Sequence, residues 1–120
     1  MNLKNITLKT AELGPVLWEN VEKLQPSNSG FIFFISSHTA TRTDENGKQY
    51  SILVGDYIQT DFNHKPTYKE VINWIVKQEY PDGKENQMLR YGIYDPDDEE
   101  YLEYYNNVEN ISSEVKSLLK

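Results

Sequence analysis

The run FIFFISSHTATRTDENGKQYSILVGDYIQT, Phe31 to Thr60, decides the fold. Two stretches rich in β-branched and aromatic residues, 31–43 and 49–60, flank a short polar segment. Within that segment Asn46-Gly47 is the pair that a two-residue type I′ turn demands. A hairpin built on it sets Glu45 opposite Lys48, Thr43 opposite Tyr50, Thr41 opposite Ile52, Thr39 opposite Val54 and Ile35 opposite Ile58. In this register Phe33, Ile35 and the threonines share one face with Tyr50, Ile52, Val54 and Ile58. Ser36, His38 and Arg42 share the other with Ser51, Gly55 and Tyr57. Unlike charges then flank the turn, as a stable pairing requires. Phe31 to Ile35 fill both faces at the hairpin base, which predicts cover on both sides there.

Working outward, residues 4–9, KNITLK, alternate apolar Ile6 and Leu8 with polar Asn5 and Thr7, which predicts a third strand. GPVLWENVEKLQP has proline at a first helical position and apolar Leu17, Val21 and Leu24, which predicts a helix near 15–24 with Trp18 at the stripe's edge. KPTYKEVINWIVKQEYP carries the clearest helix, over 67–80. Thr67 and Glu70 form a capping box, Tyr68, Val71, Ile72, Ile75 and Val76 form the buried stripe, and Pro81 stops it. A short helix over 84–91 ends at Gly92. The last helix, 97–118, is capped by Asp95 with Pro96 in its first turn. Its seam is Tyr101, Tyr104, Val108, Ile111, Val115 and Leu118, and the weak helix formers Asn110 to Ser113 invite a break. The elements predict an α+β fold: an antiparallel hairpin, extended to a three-stranded sheet, packed against three to four helices. At 120 residues the chain is expected to be a single domain, 1–120.

Charge is unevenly spread. Residues 1–90 carry ten basic and eleven acidic side chains, whereas residues 91–120 carry two basic and eight acidic ones. No Lys or Arg lies between Tyr91 and Val115, so a phosphate backbone is repelled there, and no basic stripe elsewhere offsets it. There is no cysteine, which removes thiolate chemistry, disulfides and Cys-ligated zinc. FIFFI is too short to span a bilayer, and the N-terminal residues lack the basic-then-apolar pattern of a secretory signal.

Ser36, Ser37, His38 and Asp56 are the nearest approach to a catalytic set. In the expected register Ser37 faces Asp56 while His38 points to the opposite face, so strand alternation breaks any Ser-His-Asp relay. DPDDEE, from Asp95, fails a calcium loop at its sixth and twelfth positions, Glu100 and Asn106. His64 reads as an exposed loop residue, and two histidines without cysteines give no zinc spacing. Phosphate-loop and dinucleotide fingerprints are absent. No catalytic, cofactor-binding or metal residue is therefore assigned. Tyrosines are another matter, since nine occur and several lie in the acidic third. Tyrosine buries area while keeping a polar tip outward, which suits an interface. Trp74, Tyr94, Asp97, Asp98, Glu99 and Tyr105 are the predicted protein-contact residues.

The segment DFNHKPTYKEVINWIVKQEYPDGKENQMLRYGIYDPDDEEYLEYYNNVENI, residues 61–111, resembles small uncharacterised tail-associated proteins of Bacteroidetes prophages. The shared features are the KPTYxEVI helix start, the following QEY, a Met88-Leu89-Arg90 step in a short helix, and a terminal acidic helix bearing tyrosines. The resemblance covers about half the chain and leaves out the hairpin. It implies a phage structural or assembly accessory and supplies no catalytic residues.

Three functional classes follow. The first is a noncatalytic protein-binding or assembly module acting through its aromatic and acidic surface. The second is an acidic inhibitor or immunity-type protein that occludes a basic enzyme or mimics nucleic acid. The third is a small enzyme whose site the sequence does not display. The expected partner is another protein, basic in character, and a homo-oligomer is expected if a second copy completes the helical seam or the strand base. Nucleic acid and membrane are not expected as direct partners. The expected location is the cytoplasm or a phage-like particle.

Overall fold

The computed structural model describes all residues, 1–120. In chain order they form strands β1 (Lys9–Gly14), β2 (Leu24–Ser27), β3 (Gly30–Thr43) and β4 (Gln49–Gln59), then helices α1 (Tyr68–Glu79), α2 (Lys84–Tyr94) and α3 (Glu99–Leu119). The fold is α+β. The chain divides into two compact units, one made of Leu8–Lys65 and the other of Met1–Thr7 with Pro66–Lys120.

The first unit is a four-stranded antiparallel sheet in the order β1-β4-β3-β2. The hairpin forms, but its register differs from the Asn-Gly expectation. Thr43 lies opposite Gln49, Arg42 opposite Tyr50, His38 opposite Val54 and Ser36 opposite Asp56. The cause is Asp44. Its carboxylate accepts the N–H groups of Asn46 and Lys48, each at 2.9 Å, while the Gly47 N–H reaches the Asp44 carbonyl at 3.0 Å. Only Gly47 takes a positive φ, +80°, so a type I turn followed by a left-handed glycine replaces the type I′ turn and adds a residue to the loop. A bulge at Ile35 shifts the pairing again, so that Phe34 faces Tyr57 and Phe33 faces Ile58. Phe33 and Phe34 point to opposite faces and both are buried, as the apolar run at the hairpin base requires.

The predicted helix near 15–24 is not formed. That stretch holds one 3-10 turn, Trp18–Asn20, and then enters β2. Lys23 explains the outcome. Its ammonium donates to the Trp18 and Val21 carbonyls, both at 2.7 Å, and lies 4.2 Å from the Trp18 ring centre. Those carbonyls are among the acceptors a continued helix would use. The Lys23 carbonyl in turn takes the Phe34 N–H at 2.7 Å, which ties this segment to the sheet.

The strand expected at 4–9 begins later, at Lys9, and pairs as an edge with β4. Residues 1–7 belong instead to the helical unit. The Glu79 carboxylate accepts the backbone N–H groups of Lys4, Asn5 (2.8 Å) and Ile6 (3.0 Å), and the Asn5 amide donates to the Glu79 carbonyl at 3.0 Å. That carbonyl belongs to the last turn of α1, whose acceptors have no helical partner, so the N-terminal segment caps the helix.

In the helical unit α3 packs against both α1 and α2. The Thr67–Glu70 capping box is present, and Val71, Ile75 and Val76 are buried as the stripe predicts. α3 is continuous, with Tyr104, Ile111 and Val115 buried, and no break occurs at 110–113. Packing of Ile111 and Val115 outweighs the weak propensity of the intervening serines. The cap of α3 is Asp98 rather than Asp95, because Asp95 is used in the preceding turn, where its carboxylate holds the Asp97 N–H at 3.0 Å. Gly92 does not end α2, which runs on to Tyr94. It permits close approach instead: a methyl there would collide with Cδ1 and Cε1 of the Tyr101 ring.

Candidate protein-contact site

The corner where α2 turns into α3 gathers most of the predicted contact residues. Asp98 caps α3 by accepting the Tyr101 N–H at 3.0 Å. Asp97 and Glu99 stand exposed beside it, at the helix end whose dipole favours carboxylates. Tyr94 ends α2 at 85% exposed, and Ile93 before it is 78% exposed. Tyr105 is also exposed, with its ring centre 6.2 Å from that of Tyr101, and Tyr101 lies over Gly92. The Tyr101 ring against Gly92 is thus the contact that brings α3 to α2 beside Ile93. Trp74 is not brought to this corner by its position: it sits mid-way along α1, half-buried, and already takes part in an interaction.

Leu89 and Ile93 of α2 and Leu102 of α3 are exposed as well; Leu89 and Leu102 read from the sequence as apolar positions of their helices, and Ile93 alone carried no such expectation. Leu89 and Ile93 are four apart and so share a face of α2, while Met88 is buried on another. A helix apolar on two faces was the available signal. With a helix ending at Gly92, Ile93 would fall outside α2, whereas the helix continues to Tyr94.

A cleft of about 480 Å³ in the helical unit is lined by Lys4, Asn5, Tyr80, Lys84, Glu103 and Tyr104 among others, and Glu100 of the acidic run stands at it too. Tyr104 donates to Glu85 at 2.6 Å, and the Asn107 amide donates to the Tyr80 hydroxyl at 3.0 Å. Burial, reinforced by the Glu85 hydrogen bond, pushes the Tyr104 phenol well above its ordinary range, so it remains a donor. At the surface Lys4 and Glu103 pair at 2.8 Å, which raises the ammonium and lowers the carboxyl. No buried side-chain polar atom in the chain lacks a partner.

The sheet holds the third arrangement. With the register shifted by one, Ser36 and not Ser37 faces Asp56, and His38 joins them on the same face. Strand alternation thus gathers three groups that the expected register separated. The Ser36 hydroxyl donates to Asp56 Oδ2 at 2.9 Å, and His38 Nδ1 lies 3.8 Å from that oxygen. A nucleophilic relay needs the imidazole between hydroxyl and carboxylate. Here the carboxylate stands in the middle, and a carboxylate is far too weak a base to take a hydroxyl proton. Ser36 and His38 are both exposed. The arrangement performs the work of a cross-strand polar pair. His64, beside Asn63 at 3.0 Å, is exposed as expected.

No group of three or more His, Asp or Glu side chains is arranged to hold a metal ion, and no helix is long and apolar enough to cross a membrane. Compared with family models, curated proteins and solved structures, the chain matches none.

Proposed function

We propose that this chain is a noncatalytic protein-binding module, an assembly accessory, that engages a basic protein through the α2–α3 corner. The observation that carries the reading is the exposure of Ile93 and Tyr94, 78% and 85%, directly before the acidic run Asp95 to Glu100. An apolar patch rimmed by charge is the usual form of a protein-contact surface. A basic partner bearing apolar side chains gains from both parts of it. A second copy does not, because face-to-face docking would set Asp95, Asp97, Asp98, Glu99 and Glu100 against their own counterparts. The resemblance of residues 61–111 to prophage tail-associated proteins supports a partner within a phage-like particle or its assembly.

Burying one large apolar side chain is worth about 1.5–3 kcal/mol when complete. Partial burial of Ile93 and Tyr94 together then contributes about 2 kcal/mol, roughly thirtyfold in affinity. The test is a fluorescence-anisotropy titration with a labelled amphipathic Lys/Leu peptide. Saturable, salt-weakened binding is expected, reduced roughly thirtyfold by I93A/Y94A and made less salt-sensitive by D97N/E99Q/E100Q. Absence of saturable binding overturns the reading. So does binding that salt abolishes but I93A/Y94A leave unchanged, since that is unspecific attraction.

A further inference from the structure

Of the asparagines in the chain, Asn46 alone precedes a glycine. The pair lies at the tip of the β3–β4 hairpin, where every residue from Thr41 to Ser51 is exposed. An asparagine followed by glycine is the arrangement best suited to self-attack. The backbone nitrogen of the following residue closes a five-membered ring on the side-chain carbonyl carbon, and glycine has no Cβ to obstruct it.

The fold of the turn decides when that ring can close. The Gly47 N–H donates to the Asp44 carbonyl at 3.0 Å, which makes residues 44–47 a type I turn with Asn46 at its third position. There ψ is about 0°, so the Gly47 nitrogen nearly eclipses the Asn46 nitrogen and stands a third of a revolution from Cβ. Ring closure needs the Gly47 nitrogen turned onto Cβ about the Cα–C bond, and its hydrogen bond must break for that rotation. The Asp44 carboxylate resists it further, since it holds the N–H groups of Asn46 and Lys48, each at 2.9 Å, on either side of the reacting peptide. Water has free access, as a methyl added at Gly47 would meet nothing within 4 Å.

We infer that Asn46 is a self-modification site whose reaction is gated by the opening of this turn. In the opened turn the Gly47 nitrogen bonds to Asn46 Cγ, its proton passes through water to the side-chain amide nitrogen, and ammonia leaves. Water then opens the resulting succinimide at either carbonyl. Opening at the side-chain carbonyl gives aspartate, and opening at the main-chain carbonyl gives isoaspartate, in which the main chain runs through one extra carbon. The net change consumes one water and releases one ammonia, with no oxidant or reductant. Either product sets a new carboxylate beside Asp44 and Glu45. The longer product also loses the spacing by which Asp44 reaches both N–H groups. That clamp sets Arg42 opposite Tyr50, so the modification releases the projecting end of the hairpin, and it does not run back. The site is independent of the α2–α3 corner and its partner.

Peptide mapping by mass spectrometry, after incubation of the full chain at neutral pH, reads the amide-to-acid exchange at residue 46. A closed turn leaves the open form at about one part in ten or less, so the folded chain should react at least about tenfold more slowly than the chain unfolded in guanidinium chloride. Asp44 is exposed, so Asp44→Ala keeps the fold while removing the clamp, and it should speed the folded reaction severalfold. Asn46→Gln, whose ring would need a sixth member, should abolish the reaction in both states. In the purified isoaspartyl product the amides of Arg42 and Tyr50 should exchange at least about tenfold faster than in the unmodified chain. Equal rates in the folded and unfolded chain, or a folded rate that Asp44→Ala leaves unchanged, overturn the gate. Absence of reaction at Asn46 in the unfolded chain overturns the site itself.

Discussion

Glu79 is the side chain on which the docking of residues 1–7 turns. It is 8% exposed and ends α1, where the helix dipole disfavours a carboxylate. It is held there by three successive backbone N–H donors, those of Lys4, Asn5 and Ile6. A hydrogen bond to a charged group contributes about 1.5 kcal/mol at the lower end of its range, the appropriate end for part-buried bonds. Three such bonds give about 4.5 kcal/mol, and relief of the unfavourable dipole contact returns about 0.5 kcal/mol on removal. Glu79→Ala should therefore cost about 4 kcal/mol. Glu79→Gln keeps one oxygen able to accept from Asn5 and Ile6 but turns an amide toward the Lys4 donor, so roughly half that loss is expected.

The loss should also be local. Equilibrium urea unfolding reads the total, and hydrogen exchange reads the amides of residues 4–6 separately. In Glu79→Ala those amides should exchange roughly a thousandfold faster, the equivalent of about 4 kcal/mol, before the α1 amides do. A Glu79→Ala protein within about 1 kcal/mol of the parent would refute the clamp. An equal refutation would be a fully destabilised protein in which amides 4–6 stay as slow as before, since the carboxylate would then be acting elsewhere.

Gly92→Ala should destabilise by about 1 kcal/mol despite a helix-propensity gain of similar size, because its methyl meets the Tyr101 ring; G92A/Y101A should recover the gain, and stabilisation by G92A alone would contradict the contact. Thr67→Ala should cost about 1 kcal/mol by urea unfolding, with Thr67→Ser nearly neutral, because the hydroxyl accepts the Glu70 N–H at 3.3 Å. Lys4 holds Glu103 below its ordinary value, so an NMR titration of Glu103 should move upward in K4M. The pair's contribution is present at neutral pH. It is lost on the acid side as pH falls through the lowered Glu103 value, and on the alkaline side as pH rises through the raised Lys4 value. Salt should shrink the shift, since both groups are exposed.

What the sequence displays and what it conceals divide along a physical line. Thr67 with Glu70, and the α1 and α3 stripes, are signals closed within one helix, and the structure carries them almost unchanged. Asn46-Gly47 is an equally strong local signal, but Asp44 competes for the same backbone donors and wins them, which lengthens the loop by one residue. Pro15 to Leu24 fails for a related reason, since the Lys23 ammonium takes carbonyls that helical periodicity reserves for N–H groups. Residues 4–6 look like a strand because the groups that claim their backbone lie more than 70 positions away on Glu79. No local pattern reports a partner at that distance. The candidate corner was half legible: Tyr94, Asp97, Asp98, Glu99 and Tyr105 follow from composition, while Ile93 needed α2 to continue through Gly92.

A single added loop residue has large consequences because strand faces alternate with period two. Shifting β3 by one against β4 moves Ser36, His38 and Arg42 to the face of Ile52, Val54 and Asp56, and sends Ser37, Thr39 and Thr41 to the other. The Ile35 bulge then restores Phe33 to Ile58 at the base, so the buried end of the hairpin keeps its expected face while only the projecting end is inverted. Burial would have resisted a slip among the phenylalanines, whereas threonine, serine and histidine cross between faces at little cost. The inversion therefore falls on the part of the sheet where side chains meet water. It sets Arg42 on the face of Glu12, whose carboxylate it pairs with across β4, lets the Asp56 carboxylate take up the Ser36 hydroxyl, and puts a row of hydroxyl side chains on the opposite face. The turn chemistry of Asp44 thus reaches along the strand to determine which side chains each face of the projecting hairpin presents.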